Sequence, residues 1–330
     1  MNGVFLIECL RLLDKYVNYK LIGDKMKVTN ITKKIINNYT HENVGVRSNL
    51  MKILSQGKLG GTGRMIILPV DQGFEHGPDR SFAVNPDAYD PNYHHQLAID
   101  AGLSAYAAPL GLLQTSSDSF CGQIPTILKI NSSNTLATTL DQAVTGSIDD
   151  ALKLGCSAIG FTIYPGSDHN FSLMEEYQAL SHEAKDKGLA VVLWAYARGT
   201  HISKQGETAM NIISYAAHMS ALLGANIIKV KLPSDFLEED PTKTAFEKNK
   251  IAIGTLTERV AHIKKVVFEG KRLVVFSGGD AKDDNALMEE IKAIHEGGGN
   301  GSIIGRNCFQ RKRQDSLELL DQMIKIYKSK

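Results

Sequence analysis

The stretch "GANIIKVKLPSD", residues 224–235, decides the fold. A glycine opens it, an apolar run follows, and a proline and polar residues close it. Glycine is the common residue just past a helix end, because it accepts the left-handed backbone needed there. On a strand, Asn226, Ile228 and Val230 face one way, and Ala225, Ile227, Lys229 and Lys231 the other. Both faces carry apolar residues, as in a parallel sheet covered by helices. The two lysines share the face that would otherwise be interior, where charge is expensive.

The same unit recurs from residue 60 onward. Its other copies are "RMIILPVDQG" (64–73), "GLSAYAAPLG" (102–111), "IPTILKIN" (124–131), "GCSAIGFTIYPG" (155–166), "GLAVVLWAYARG" (188–199), "KRLVVFSGG" (271–279) and "NGSIIGRN" (300–307). Helical patterns separate most of them, at 170–187, 207–222, 243–265, 283–297 and 313–328. Eight apolar strands alternating with helices predict a closed (β/α)8 TIM barrel over residues 51–330. Residues 1–50 read as a partly helical N-terminal extension. The alternative, an open doubly wound sheet, would show a glycine-rich phosphate turn after its first strand. The first strand here ends "VDQGFEHGPD", which lacks that fingerprint. Residues 233–250 read as an exposed polar loop.

Composition narrows the partners. The chain is 43% hydrophobic and 22% charged with a net charge of +1, so no electrostatic footprint points to nucleic acid or an anionic membrane. No apolar stretch reaches the roughly 18–20 residues of a membrane span. The segment "MNGVFLIECLRLLDKYVNYK" (1–20) is broken by Glu8, Arg11 and Asp14 and does not read as a signal peptide. Leu6, Leu10, Leu13 and Val17 there suit a short amphipathic helix, and Met26 would also serve as a start. The four cysteines show no CxxC spacing, so a reducing, cytoplasmic setting is expected and a zinc site is not. No metal or cofactor is expected.

In such a barrel the chemistry gathers where each strand turns polar. Strand one gives Asp71, then Glu75 and His76; alone, Asp71 equally caps a turn. Strand three gives Lys129, either a reactive lysine or the partner of a carboxylate such as Asp71. Strand five puts Trp194 and Tyr196 on one face and Val191, Leu193 and Ala195 on the other. Strands seven and eight end in Ser277, Gly278, Gly279, Gly305 and Arg306, a pattern suited to phosphate. A neutral lysine in a dry pocket is the nucleophile of Schiff-base chemistry, and a neighbouring cation favours the neutral form. Periodicity alone favours Lys231, which lies nearer the strand's C-terminal mouth.

The motifs "ILPVDQGFEHGP", "LKIN", "GFTIYPGS", "VVLWAYARG", "GANIIKVK", "FSGGDAK" and "IIGRNCFQR" resemble, in order over residues 50–325, those of the archaeal-type class I fructose-bisphosphate aldolases, a family also found in bacteria. The resemblance implies a metal-independent Schiff-base lyase of glycolysis and gluconeogenesis, without a cofactor. It would reversibly cleave fructose 1,6-bisphosphate to dihydroxyacetone phosphate and glyceraldehyde 3-phosphate. It implies Lys229 as the Schiff-base lysine, Tyr196 as the acid–base residue and Asp71 as the holder of substrate hydroxyls. Trp194 lines the pocket, and Ser277, Gly278, Gly279, Gly305 and Arg306 contact phosphate. His76 and Arg198 meet the far end of the substrate, and Lys129 is a further substrate contact. Lys231 becomes the cation that lowers the pKa of Lys229, or a phosphate partner. The family implies a homo-oligomer, an octamer or decamer, with a phosphosugar as its small-molecule partner. Two alternatives stay open: a related Schiff-base transaldolase or aldolase on another phosphorylated ketose, and a non-catalytic phosphosugar-binding barrel. The chain departs from the pattern at Gln72, where many members have His, in a longer 232–262 segment, and in Leu-Pro after Lys231.

Overall fold

Each of the eight apolar runs forms a strand in the computed structural model, which describes residues 28–277 and 283–329. The barrel strands are β1 (Met65–Pro69), β2 (Ala105–Pro109), β3 (Thr126–Lys129), β4 (Ala158–Ile163), β5 (Ala190–Ala195), β6 (Ile227–Lys231), β7 (Leu273–Ser277) and β8 (Gly301–Ile303). All pair in parallel with their chain neighbours, and β1 pairs with β8 through Met65 and Gly301 to close the barrel. A small antiparallel hairpin, Asn131–Ser132 with Ala143–Val144, rises from the end of β3. The glycines before the strands take the left-handed backbone expected of helix ends, as at Gly102, with φ 69° and ψ 45°.

The strand phase follows the sequence pattern. Ile228 and Val230 of β6, like Val191, Leu193 and Ala195 of β5, pack outward under the helices. Val192, Trp194 and Ile227 pack inward with Met65, Ile67 and Val275. Full burial of both faces explains why these strands do not alternate.

Two elements differ from the sequence reading. The helical pattern 243–265 is two helices, Asp240–Lys248 and Leu256–Val266. Thr255 starts the second, in a capping box with Glu258, so the chain restarts a helix there. The first lies inside the stretch expected as a loop and buries only Phe246. The boundary drawn at residue 50 meets the helix Val44–Ser55, which runs through it. Val46, Leu50, Ile53 and Leu54 of that helix, with Ile36 and Tyr39 before it, join the interior cluster and plug the bottom of the barrel. The Tyr39 hydroxyl donates to Asn226 O at 2.6 Å and accepts from Leu273 N at 3.0 Å, tying the plug to β6 and β7. The amphipathic pattern at Leu6–Val17 lies outside the described residues.

Candidate active site

Two lysines stand inside the barrel. Lys129 ends β3, Lys229 lies mid-way along β6, and each is only 4% exposed. Trp194 of β5 lies beside both: its ring centre is 5.3 Å from Lys229 Nζ and 6.0 Å from Lys129 Nζ. Tyr196, one residue past β5, brings its ring centre to 5.1 Å from Lys229 Nζ. The indole fits because β4 carries Gly160 beneath it. A Cβ there would meet two indole carbons at 2.0 and 2.3 Å. Gly160→Ala is therefore expected to destabilise the fold by about 1–3 kcal/mol and displace the indole. Trp194 is the chain's one tryptophan, so thermal melts and intrinsic fluorescence both report the change.

Burial sets the state of these amines. It pulls Lys229 down to about 8 from the ordinary 10.5, against the pull of Asp71 and Glu75, and Lys129 and Arg306 push the same way as burial. At pH 7 roughly a tenth of such an amine is neutral, about 300-fold more than for an ordinary lysine. Burial also holds Lys129 near 8. Lys129 donates to the backbone and side-chain oxygens of Asn131. Asn131 Oδ1 also accepts from Thr162 N at 2.7 Å, so Lys129 is pinned to the β3–β4 seam.

Lys231, at the end of the same strand as Lys229, is ion-paired. Its Nζ is 2.8 Å from Oε2 of Glu207, which lies in the short 3-10 turn Gly206–Thr208 after β5. The cations that depress Lys229 are Lys129 and Arg306; Lys231, neutralised by its own carboxylate, links the ends of β5 and β6.

A cavity of about 130 Å³ opens at the C-terminal end of the barrel. Lys229, Lys231, Tyr196, Arg198, Glu75, His76, Ser277, Gly305 and Arg306 are in its wall. The guanidinium of Arg198 lies 4.9 Å from the Tyr164 ring centre and 6.0 Å from that of Tyr196. The Tyr164 hydroxyl accepts from Gln142 of the small hairpin at 2.5 Å. His76 sits 3.7 Å from Glu75, and burial, then Arg306, Arg80 and Arg198, lowers its pKa, which favours a neutral ring. Gly305 is required by a close approach: a Cβ would lie 2.7 Å from Pro69 O.

A family model of DeoC/LacD family aldolases matches residues 65–311, which contain all eight strands and this cavity. The chain belongs to the DeoC/LacD aldolase family. Relatives of this aldolase include a probable fructose-bisphosphate aldolase class 1 of Chlamydia muridarum, 35% identical over 86% of this chain and 84% of that protein. The fructose-bisphosphate aldolase class 1 of Thermoproteus tenax is 34% identical over 76% of this chain and 85% of its own. An archaeal fructose-1,6-bisphosphate aldolase, solved with its catalytic lysine covalently bound to the carbinolamine intermediate of the substrate, matches with a TM-score of 0.69 and 28% identity. That match covers 90% of this chain and 99% of that one.

In the aldolase, most of the residues singled out from sequence converge on one place. Asp71, Lys129 and Trp194 do not form the cavity wall; Lys129 and Trp194 are buried behind it, and Asp71 acts on it through charge. Gly278 and Gly279 lie outside the described residues. Glu75 was not singled out as a site residue, yet it is in the wall, within reach of the fields of both lysines. The two acidic residues four apart after β1, Asp71 and Glu75, were its one signal in the sequence. Among the described residues no cluster of three or more His, Cys, Asp or Glu is placed to hold a metal.

Proposed function

We propose that this protein is a class I fructose-bisphosphate aldolase, in which Lys229 forms a Schiff base with C2 of fructose 1,6-bisphosphate. One observation carries the reading: a buried amine held near 8 stands beside a half-buried phenol at the floor of a cavity that Arg306 and Gly305 border. Anions are favoured there by Arg306 and by the backbone beside Gly305.

In this scheme neutral Lys229 attacks C2, and loss of water from the carbinolamine gives an iminium ion. The iminium withdraws the electron pair of the C3–C4 bond as it breaks. Asp71, directly before the wall residue Gln72 and near enough to Lys229 to act on its charge, holds the hydroxyls and receives the C4 hydroxyl proton. Glyceraldehyde 3-phosphate leaves, and the resulting enamine takes a proton at C3 from Tyr196. Water then releases dihydroxyacetone phosphate. Lys129 and Trp194 serve by setting the field and shape around Lys229, and Arg198 and His76 face the substrate's far end. The same reading includes a cytoplasmic homo-oligomer.

Purified protein should cleave fructose 1,6-bisphosphate to both triose phosphates, and EDTA should leave the rate unchanged. No cleavage, with phosphosugar binding intact, would favour a non-catalytic barrel. Loss of the rate in EDTA would contradict the Schiff-base reading.

A further inference from the structure

Arg198 is in the cavity wall, yet among the described residues no ion pair holds its guanidinium. Its Nε is shut away from solvent and donates to none of them. Two aromatic faces hold it instead. The Tyr164 ring centre is 4.9 Å from the guanidinium carbon, and the Tyr196 ring centre is 6.0 Å from it. A carboxylate would occupy the N–H groups of an arginine. An aromatic face attracts the charge and leaves the N–H edges open to an anion.

Tyr164 is fixed from three sides. It follows β4 directly and is 2% exposed. The β4–β5 ladder runs on past both strands, with Tyr196 N donating to Ile163 O at 3.1 Å and Arg198 N donating to Pro165 O at 3.0 Å. Tyr164 lies between those two acceptors, so its backbone is tied to the chain that carries Arg198. Its hydroxyl accepts from Gln142, which is itself buried. Gln142 directly precedes the hairpin strand Ala143–Val144, which pairs with Asn131 and Ser132 at the end of β3. We propose that Tyr164 is the positioning residue that holds Arg198 for the distal phosphate of the substrate, an assignment that rests on the aldolase reading above. Tyr164 touches no reacting atom and acts through Arg198 alone. Its benefit is preorganisation: a long, flexible stem is ordered before the anion arrives, so binding does not bear that entropy cost.

The test compares fructose 1,6-bisphosphate with fructose 1-phosphate, which lacks only the distal phosphate. Tyr164→Leu should lose about 10-fold in kcat/KM for the bisphosphate and less than about 2-fold for the monophosphate. Arg198→Met should lose about 10²-fold, again on the bisphosphate alone. Adding Tyr164→Leu to Arg198→Met should cost nothing more, because the two side chains act as a unit. Tyr164→Phe keeps the ring and drops only the tie to Gln142, so its loss should shrink to about 3-fold and stay confined to the bisphosphate. That variant carries the test if Tyr164→Leu does not fold. A loss shared equally by both substrates, no loss, or a full additional loss in the double variant would overturn the assignment, because a merely structural role does not sense the distal phosphate. If the wild-type protein cleaves neither sugar phosphate, the aldolase reading falls, and this assignment with it.

Discussion

Lys229→Met should lose at least about 10⁴-fold in fructose 1,6-bisphosphate cleavage and, at the same time, melt at a higher temperature. The first effect follows from removing the nucleophile, without which no other group on the floor can form the iminium. The second follows from burial. The folded protein holds this amine near 8, against 10.5 when exposed, so folding at neutral pH carries a penalty for keeping it charged. That penalty is whole below about pH 8. It shrinks as pH rises toward 10.5, because there the unfolded chain binds the proton and the folded chain does not. Methionine fills similar volume without charge, so the variant should gain stability on the order of 1–4 kcal/mol below pH 8. The gain should diminish as pH rises above 8. Cleavage kinetics and melts at pH 7 and 9.5 check both halves. A fall in melting temperature would mean that the carboxylates Asp71 and Glu75 depend on Lys229 more than burial opposes it.

Tyr196→Phe should show the second largest loss, about 10²–10⁴-fold in turnover, while adduct formation is nearly unchanged. Burial, then Glu75 and Asp71, raises the phenol pKa well above its ordinary value, so it is protonated throughout the working range. It can donate to the C3 carbanion but is not needed for attack at C2. Removing the hydroxyl leaves the ring beside Lys229 and takes away only the proton. Turnover and borohydride trapping, measured on one preparation, separate the steps. Equal loss of both would place Tyr196 in iminium formation instead.

The barrel was legible because doubly buried strands leave a strong trace. Ile227, Ile228 and Val230 are apolar regardless of facing, which only a sheet covered on both sides permits. The shared face of Lys229 and Lys231 was equally legible. Their heights were not. Periodicity gives direction, but strand stagger in the closed barrel decides which lysine is at the floor. The partner that neutralises Lys231 is Glu207, 24 residues upstream, a pairing set by tertiary structure alone. The helix start at Thr255 was legible in principle, since Thr255 and Glu258 have capping-box spacing, but the stripe Leu256, Val260 and Ile263 reads as a continuation of the helical pattern before it. The bottom plug at 36–54 was missed because its apolar residues are spread over two helices, and their common target is visible only once the barrel closes. Glu75 was missed for a related reason. It sits beyond its strand on a one-turn helix, and that helix is aimed by packing, with Ser81 Oγ bonded to Gln72 O at 2.9 Å.

The most direct test of the central claim is to incubate the protein with dihydroxyacetone phosphate, reduce with borohydride and map the modified peptide by mass spectrometry. The reduced adduct should lie on Lys229 alone and be absent from Lys229→Met. An adduct on Lys129 or Lys231, or none at all, would contradict it.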